Sequence, residues 1–346
     1  MRSLLAGLAC VAALVTLGTA RADDDAAPEE PAIGRPPASA PSDSQNQTRP
    51  SLEAPALRSG FALVRDDTTG EILMSKNGTT SVPIASISKL MTALVTLDAN
   101  LDLSEPIEIA ESDVQATAPN RSALARGMTL SRDDVLHLAL MASDNRAAVA
   151  LGRTYPGGMT AFVAAMNAKA TSLGMTGSRF AEPSGLSREN VSTAEDLARL
   201  IAAANAHALI GRYSTDRSHT VMLRGRPVTF RSTNALVRAG ETDIAVQKTG
   251  FTRAAGQCLV MMLNGTARKF TVVLLDALGR YDPVLDAAAL RRWLEPGYAL
   301  PASLAALSAP ARPSHKAGQR RRSGSIPKVS GQHMAAVRTP GQHEVN

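Results

Sequence analysis

The sequence predicts an α+β fold in which one antiparallel sheet is built from both ends of the folded region and a helical lobe is inserted between them. Short apolar segments separated by turn residues occur near both ends of this region, a pattern typical of paired strands. Residues from about 100 to 212 instead repeat apolar side chains at helical spacing. Strands that bracket a helical block favour a single sheet with helices packed on it.

Turn residues mark the boundaries of the predicted elements. Asp67–Gly70 joins the first two strands and Asn264-Gly265 joins the last two, in each case with a glycine that tolerates a left-handed turn. Gly174 stops the second of two predicted helices in the middle of the chain. In chain order the predicted elements are strands Phe61–Val64 and Glu71–Met74, helices Asp133–Leu151 and Met159–Leu173, strands Ile244–Val246, Cys258–Leu263 and Phe270–Leu275, and a closing helix Val284–Leu294.

The first 22 residues are typical of a cleavable secretory signal. Arg2 precedes the apolar run Leu4–Leu17, and Ala20-Arg21-Ala22 forms a small-residue cleavage site after Ala22. A lipoprotein anchor at Cys10 is the alternative, but Gly7 stands where a large aliphatic residue is expected. We therefore expect export to the periplasm.

The remaining chain divides into a folded domain and two polar flanks. Residues 23–57 and 301–346 have no apolar period and are expected to be a linker and a disordered tail around a domain at 58–300. The tail is basic, with seven Lys or Arg against Glu344. Aromatic residues make up only 3% of the chain, which argues against nucleic-acid binding by an interleaved stacking surface.

Cysteine and histidine usage argues against disulfides, metals and cofactors. Removal of the signal leaves Cys258 as the only cysteine, so no intrachain disulfide is expected, and its apolar strand indicates a small core residue. The six histidines lack ligand spacing and no His-Glu-x-x-His is present. We expect neither a metal nor a cofactor.

The first motif with chemical meaning is Ser86-Ile87-Ser88-Lys89, followed by apolar residues at helical spacing. Residues three apart on a helix have Cβ atoms about 5–6 Å apart, so the Lys89 amine could reach the Ser86 hydroxyl and act as its base. That role requires a depressed lysine pKa. The pattern alone is weak, because Ser325–Lys328 also matches it in the tail, where Pro327 forbids a helix interior.

Two further motifs are ambiguous when each is taken alone. Ser143-Asp144-Asn145 precedes an Ala-rich helical segment, where such residues are usually helix caps. Lys248-Thr249-Gly250 lies before a predicted strand and could be a simple turn, although Lys and Thr can also hold a carboxylate and Gly lets a peptide backbone approach. The order and context of all three motifs together match the set known from penicillin-binding proteins and class A β-lactamases.

Longer segments make the resemblance specific. The chain from about 58 to 298 resembles the low-molecular-weight penicillin-binding proteins that are D-alanyl-D-alanine endopeptidases, of the penicillin-binding protein 7 type. The segments that carry the resemblance are Ile84–Ala93, Glu182–Ser187, Asn190–Ala194 and Lys248–Thr252. It implies the serine β-lactamase/D,D-peptidase-like fold, peptidoglycan peptides as substrates and β-lactam antibiotics as covalent inhibitors.

The resemblance also implies roles for the catalytic residues. Ser86 attacks the D-Ala carbonyl, Lys89 is its base and Ser143 relays a proton to the leaving amine. Backbone N–H groups of Ser86 and Phe251 form the oxyanion hole.

The substrate-binding roles follow from the same resemblance. Asn145 holds the substrate amide, Lys248 and Thr249 bind the carboxylate beside the scissile bond, and Gly250 leaves room at the strand edge. Lys248 is also expected to help keep Lys89 neutral. The charge of the basic tail, and not the resemblance, raises the hypothesis of a contact with the peptidoglycan sacculus or an anionic membrane surface; a solvated linker is the favoured alternative.

Two departures from related carboxypeptidases favour an endopeptidase. Phe251 replaces a histidine that those relatives often carry, and the chain after about 300 lacks the alternating pattern of their C-terminal β-domain. A β-lactamase is disfavoured, because Pro183-Ser184-Gly185 follows Glu182 in place of the usual pattern. A carboxypeptidase and a penicillin-acylated binding protein without turnover remain as alternatives.

Overall fold

The structure is a computed structural model that describes residues 53–308. The predicted signal with its Cys10 alternative, most of the linker, nearly all of the basic tail and the second Ser-x-x-Lys match lie outside the described residues. Within 53–308, no helix has both the length and the apolar composition needed to cross a membrane.

The described residues form eleven strands and ten α-helices. The strands are β1 Phe61–Asp66, β2 Ile72–Lys76, β3 Val82–Pro83, β4 Pro106–Glu108, β5 Thr129–Ser131, β6 Val191–Ser192, β7 Ser218–Leu223, β8 Arg226–Arg231, β9 Ile244–Thr252, β10 Gly256–Asn264 and β11 Lys269–Ala277. The helices are α1 Ser88–Asp98, α2 Glu111–Ala116, α3 Arg132–Met141, α4 Asn145–Arg153, α5 Gly158–Ser172, α6 Ala194–Asn205, α7 Ala208–Thr215, α8 Ala235–Ala239, α9 Asp282–Leu294 and α10 Ala302–Ala305.

The main sheet joins the two ends of the folded region, as the sequence predicts. Its strand order is β2-β1-β11-β10-β9, with every neighbouring pair antiparallel. The N-terminal strand β1 pairs with the C-terminal strand β11, for example Leu63 with Val273. This arrangement leaves β9, which carries Lys248-Thr249-Gly250, at one edge of the sheet. The α+β prediction is confirmed.

Alternation along the strands separates two cores, because successive side chains of a strand point to opposite faces. Leu63, Val260 and Val273 pack into the larger core, against the helical lobe. Their neighbours in sequence pack into a smaller core under α8 and α9, and they include Val64, Leu259 and Val272. The sheet is therefore buried on both faces, which explains why its central strands read as nearly continuous apolar runs.

Cys258 belongs to the larger core. Its side chain is buried on β10, and burial raises the pKa of its thiol to about 12. The thiol is therefore protonated at neutral pH and unsuited to nucleophilic chemistry, as expected from its apolar strand.

The prediction of one helix over Asp133–Leu151 is wrong. The segment folds as α3 and α4, which are separated by a turn in which Ser143 adopts a φ of 56°. The Asp144 side chain accepts a hydrogen bond from the backbone N–H of Ala147 at 3.0 Å and caps the second helix. Apolar periodicity continues across the turn, so periodicity alone could not detect the break.

Candidate active site

Ser86 lies in a short 3₁₀ turn, Ala85–Ile87, that leads directly into α1. The sequence places Ser86 and Lys89 on one α-helix, whereas the structure begins α1 two residues after the serine. The three-residue spacing still brings the lysine amine to the serine hydroxyl, since the Lys89 Nζ lies 2.8 Å from the Ser86 Oγ. The candidate nucleophile and its candidate base are in direct contact.

Lys89 is fully buried and reaches only neutral acceptors. Its Nζ donates to the Ser86 Oγ at 2.8 Å, to the Asn145 Oδ1 at 2.8 Å and to the Ser184 backbone oxygen at 2.5 Å. Burial lowers the pKa of Lys89 to about 7, against the opposing effect of the carboxylates of Glu182 and Asp144. Roughly half of the amine is therefore neutral near pH 7 and able to accept a proton.

Lys248 forms the second half of the cleft. It is fully buried on β9, and its Nζ donates to the Ser143 Oγ at 2.8 Å and to the Thr249 backbone oxygen at 3.0 Å. Burial, followed by the nearby charge of Lys89, lowers the pKa of Lys248 well below its ordinary value. Burial is also the main cause of the lowered pKa of Lys89. The loss of solvation therefore favours the neutral amine of Lys89 without a contribution from Lys248.

The turn between α3 and α4 supplies both the cap and the site residues. Asp144 faces back to its own helix, whereas Ser143 contacts Lys248 and Asn145 contacts Lys89. The left-handed φ of Ser143 is unusual for a residue with a side chain and is held by the surrounding contacts. The cap interpretation of the sequence is thus right for one of the three residues, and the other two enter the cleft.

Lys248 and Thr249 point to opposite faces of β9. Lys248 is paired with Val260 of the larger core and Thr249 with Leu259 of the smaller one. The Thr249 hydroxyl lies 2.5 Å from that of Thr233, a residue that the sequence motifs did not single out. The lysine and the threonine therefore flank the strand edge from two sides.

Gly250 allows the nucleophile turn to approach β9. A Cβ at this position would lie 3.0 Å from the Ile84 oxygen and 3.2 Å from the Ser86 nitrogen. The close approach that Gly250 permits is therefore to the backbone of the nucleophile turn, which belongs to this chain and not to a substrate. Next to it, Phe251 exposes 58% of its surface at the open edge of the strand.

The segment from Ala181 to Asn190 supports the site in a way that the sequence did not reveal. The Glu182 carboxylate accepts hydrogen bonds of 2.6 Å from the Ser184 N–H, the Ser184 hydroxyl and the Gly185 N–H. These bonds hold the Ser184 carbonyl where it accepts from Lys89. The group that contacts Lys89 is the backbone oxygen of Ser184, and a side-chain motif cannot indicate the role of a backbone oxygen. In the sequence, this segment is noted only as part of the family resemblance.

Asn190 and Thr92 fasten this segment to α1. The Asn190 amide donates to the Ser88 Oγ at 2.9 Å and to the Glu182 backbone oxygen at 2.8 Å. The Thr92 hydroxyl donates to the Pro183 oxygen at 2.7 Å. The segment and the nucleophile helix therefore form one hydrogen-bonded unit.

Comparison with known proteins gives consistent matches over the folded region. A family model described as D-alanyl-D-alanine carboxypeptidase matches residues 47–279. The D-alanyl-D-alanine endopeptidase of Pseudomonas aeruginosa is 49% identical over 251 residues, covering 71% of this chain and 81% of the relative. That of Escherichia coli is 45% identical over 256 residues, covering 73% and 83%. A solved D-alanyl-D-alanine carboxypeptidase from Mycobacterium tuberculosis has a TM-score of 0.64 at 28% identity, covering 70% and 93%.

Replacement of Gly185 by alanine tests the contact between the Glu182 segment and the nucleophile turn. Gly185 has a φ of 84°, and a Cβ there would overlap the Ala85 carbonyl. Gly225, with a φ of 74° and nothing within 4 Å, is a matched control. Both alanine variants carry backbone strain of about 1–2 kcal/mol, but only Gly185→Ala adds overpacking of about 1–3 kcal/mol. We expect a clearly lower melting temperature and slower acylation by a fluorescent penicillin for Gly185→Ala alone; equal effects would contradict the contact.

The pKa of Lys89 predicts the pH dependence of acylation. Because only the neutral amine can take the Ser86 proton, the acylation rate should rise with pH through about 7 and level off above it. Stopped-flow acylation by penicillin from about pH 5 to 9 measures this limb. Lys89→Arg should abolish it, since guanidinium stays protonated. A flat profile across neutral pH would exclude Lys89 as the base.

Glu182→Gln should move this limb to lower pH, because the Glu182 carboxylate raises the pKa of Lys89. Glu189→Gln is the control from the same segment, since Glu189 is exposed and pairs with Arg179 at 3.6 Å. The measurement is the same pH profile, with circular dichroism to verify folding. An unmoved limb in folded Glu182→Gln protein would show that the carboxylate does not act on the base.

Proposed function

The chain belongs to the D-alanyl-D-alanine carboxypeptidase family, and on that basis we propose that it is a serine D,D-endopeptidase of peptidoglycan. It hydrolyses the bond between D-Ala and diaminopimelate in peptide cross-links through an acyl-enzyme. The observation that carries the proposal is the pair of buried lysine amines, each hydrogen-bonded to a serine hydroxyl of the same cleft. The endopeptidase relatives from Pseudomonas aeruginosa and Escherichia coli support the choice of reaction.

Acylation begins at Ser86. Its Oγ attacks the carbonyl carbon of D-Ala while the hydroxyl proton passes to the neutral Nζ of Lys89, 2.8 Å away. The carbonyl π electrons move to the oxygen, and the backbone N–H groups of Ser86 and Phe251 stabilise this oxyanion. Asn145, already hydrogen-bonded to Lys89, positions the peptide amide.

Collapse of the tetrahedral intermediate releases the amine. The C–N bond breaks as Ser143 gives its hydroxyl proton to the diaminopimelate nitrogen, and the proton that Lys89 took from Ser86 replaces it on Ser143, so that both residues return to their starting forms. Lys248 donates to the Ser143 oxygen and stabilises the charge that develops there during the transfer. A water molecule then attacks the ester carbon. Lys89 takes a proton from this water and passes it to the Ser86 oxygen as the ester C–O bond breaks, so the peptide leaves with a new carboxyl group and Ser86 recovers its hydroxyl.

The free carboxylate of diaminopimelate lies beside the scissile bond, and the Nζ group of Lys248 with the hydroxyl of Thr249 binds it. A peptide that ends in D-Ala presents a carboxylate at the same position, so carboxypeptidase activity is the second candidate. Exposed Phe251, in place of the histidine common in the carboxypeptidases, favours the endopeptidase.

The cellular site follows from the substrate and from the first 22 residues. Peptidoglycan lies outside the inner membrane, and a cleavable signal over residues 1–22 would export the chain to the periplasm. β-Lactams carry a strained amide and a nearby carboxylate. They acylate Ser86 by the same steps and act as covalent inhibitors.

Digestion of defined muropeptides tests the reaction. The exported protein should convert D-Ala–diaminopimelate cross-linked dimers into monomers. The Ser86→Ala variant should not cut the dimers and should not be labelled covalently by penicillin, because the nucleophile is missing. Ser325→Ala, at the other Ser-x-x-Lys match, is the control and should behave as wild type. Release of terminal D-Ala with intact dimers would favour the carboxypeptidase, and labelling without either product would indicate a binding protein.

A further inference from the structure

A cavity of about 420 Å³ lies behind the active-site edge of the sheet, between β9 and the start of α9. Three arginines line it: Arg231 at the end of β8, Arg238 in α8 and Arg280 in the turn before α9. No Asp or Glu of residues 53–308 is among the lining side chains. The cavity is therefore strongly cationic.

The contacts that these arginine side chains make within residues 53–308 are with neutral groups. Within the described part of the chain, none of the three forms an ion pair with a carboxylate. Arg238 donates to the Ser232 backbone oxygen at 2.6 Å, and Arg280 lies 5.5 Å from the ring centre of Tyr281. By contrast, Arg153 is paired with Asp113 at 2.8 Å. Exposed guanidinium groups without acidic partners are free to bind an anion bidentately.

The cavity begins at Thr249, which is proposed to bind the substrate carboxylate together with Lys248. Thr249 points to the same face of the sheet as its β10 partner Leu259, and both residues line the cavity. Thr233, whose hydroxyl contacts that of Thr249, lines it as well. Ser86 and Lys89 do not. The cavity thus extends from the group that holds the carboxylate of the leaving amine, on the side away from the nucleophile.

We propose that this arginine-lined cavity binds further carboxylates of the stem peptide that carries the leaving amine. The inference rests on the proposed function and deepens it. A cross-linked substrate continues beyond the diaminopimelate as a peptide with additional free carboxylates, whereas a substrate that ends in D-Ala has none beyond the first. The cavity is used by the cross-linked substrate alone, and it gives the enzyme a physical basis for preferring it.

The test compares two substrates and two sets of variants. One substrate is a cross-linked muropeptide dimer; in the other, the carboxylates of the leaving stem, except the one beside the scissile bond, are amidated. Arg231→Gln and the double variant Arg231→Gln/Arg238→Gln remove cavity charge. Arg226→Gln, an exposed residue at the other end of β8 that does not line the cavity, removes the same charge elsewhere.

For wild type and Arg226→Gln, amidation should raise KM about tenfold with kcat nearly unchanged, because ground-state and transition-state binding are lost together. The double variant should have the same raised KM for the unmodified dimer and for the amidated dimer, so it should not distinguish the two substrates. Its penicillin acylation rate and melting temperature should equal those of wild type, which separates lost binding from misfolding. Raised salt should weaken wild-type binding more than that of the double variant.

Two results would overturn the inference while leaving the proposed function intact. One is a double variant that cuts the dimer with wild-type KM, and the other is a wild type that does not distinguish the amidated dimer. Failure of wild type to cut the dimer at all, with penicillin labelling retained, would instead refute the proposed endopeptidase activity. The variant Arg231→Lys/Arg238→Gln, which returns a positive charge to position 231, should restore part of the discrimination that the double variant loses.

Discussion

The burial of two lysine amines in one cleft is the constraint on which the site depends. Lys89 and Lys248 are both fully inaccessible to solvent, and their hydrogen-bond acceptors are hydroxyl, amide and backbone oxygens. A buried ammonium group without an ion-pair partner is costly, so burial shifts the equilibrium toward the neutral amine. The same lack of solvation that would destabilise a structural lysine lowers the pKa of Lys89 to about 7, so that its amine can accept a proton near neutral pH.

Four separate chain segments are needed to enclose these amines. The nucleophile turn and α1 carry Ser86 and Lys89, the turn between α3 and α4 brings Ser143 and Asn145, β9 brings Lys248, and the segment from Ala181 to Asn190 supplies a carbonyl. Several of these positions adopt left-handed backbone conformations, among them Ala85, Ser143 and Gly185. Such conformations persist where surrounding contacts hold them. Here the Glu182 carboxylate binds the Gly185 N–H, Lys248 binds the Ser143 hydroxyl, and the Ser88 hydroxyl donates to the Ala85 oxygen.

Side chains of the edge strand β9 point to both faces of the sheet, and we propose a different role for each face. On the helical-lobe face, Gly250 lies against the nucleophile turn and Lys248 contacts Ser143, where the chemistry is proposed to occur. On the opposite face, Thr249 opens toward the cavity that Arg231, Arg238 and Arg280 line. Because side chains alternate along a strand, one tripeptide contributes to both. A peptide laid along the edge can therefore contact reacting groups and charge-recognition groups together.

The sequence by itself determined the α+β architecture, the paired strands at both ends of the domain and the residues of the cleft, because apolar periodicity and short motifs are local properties of a chain. It did not reveal the break between α3 and α4, since apolar period continues through Ser143. Nor did it reveal the role of Glu182, which acts through backbone groups, or the grouping of Arg231, Arg238 and Arg280. Only the tertiary structure decided these features, because they depend on which distant segments come into contact and on how much water those contacts exclude.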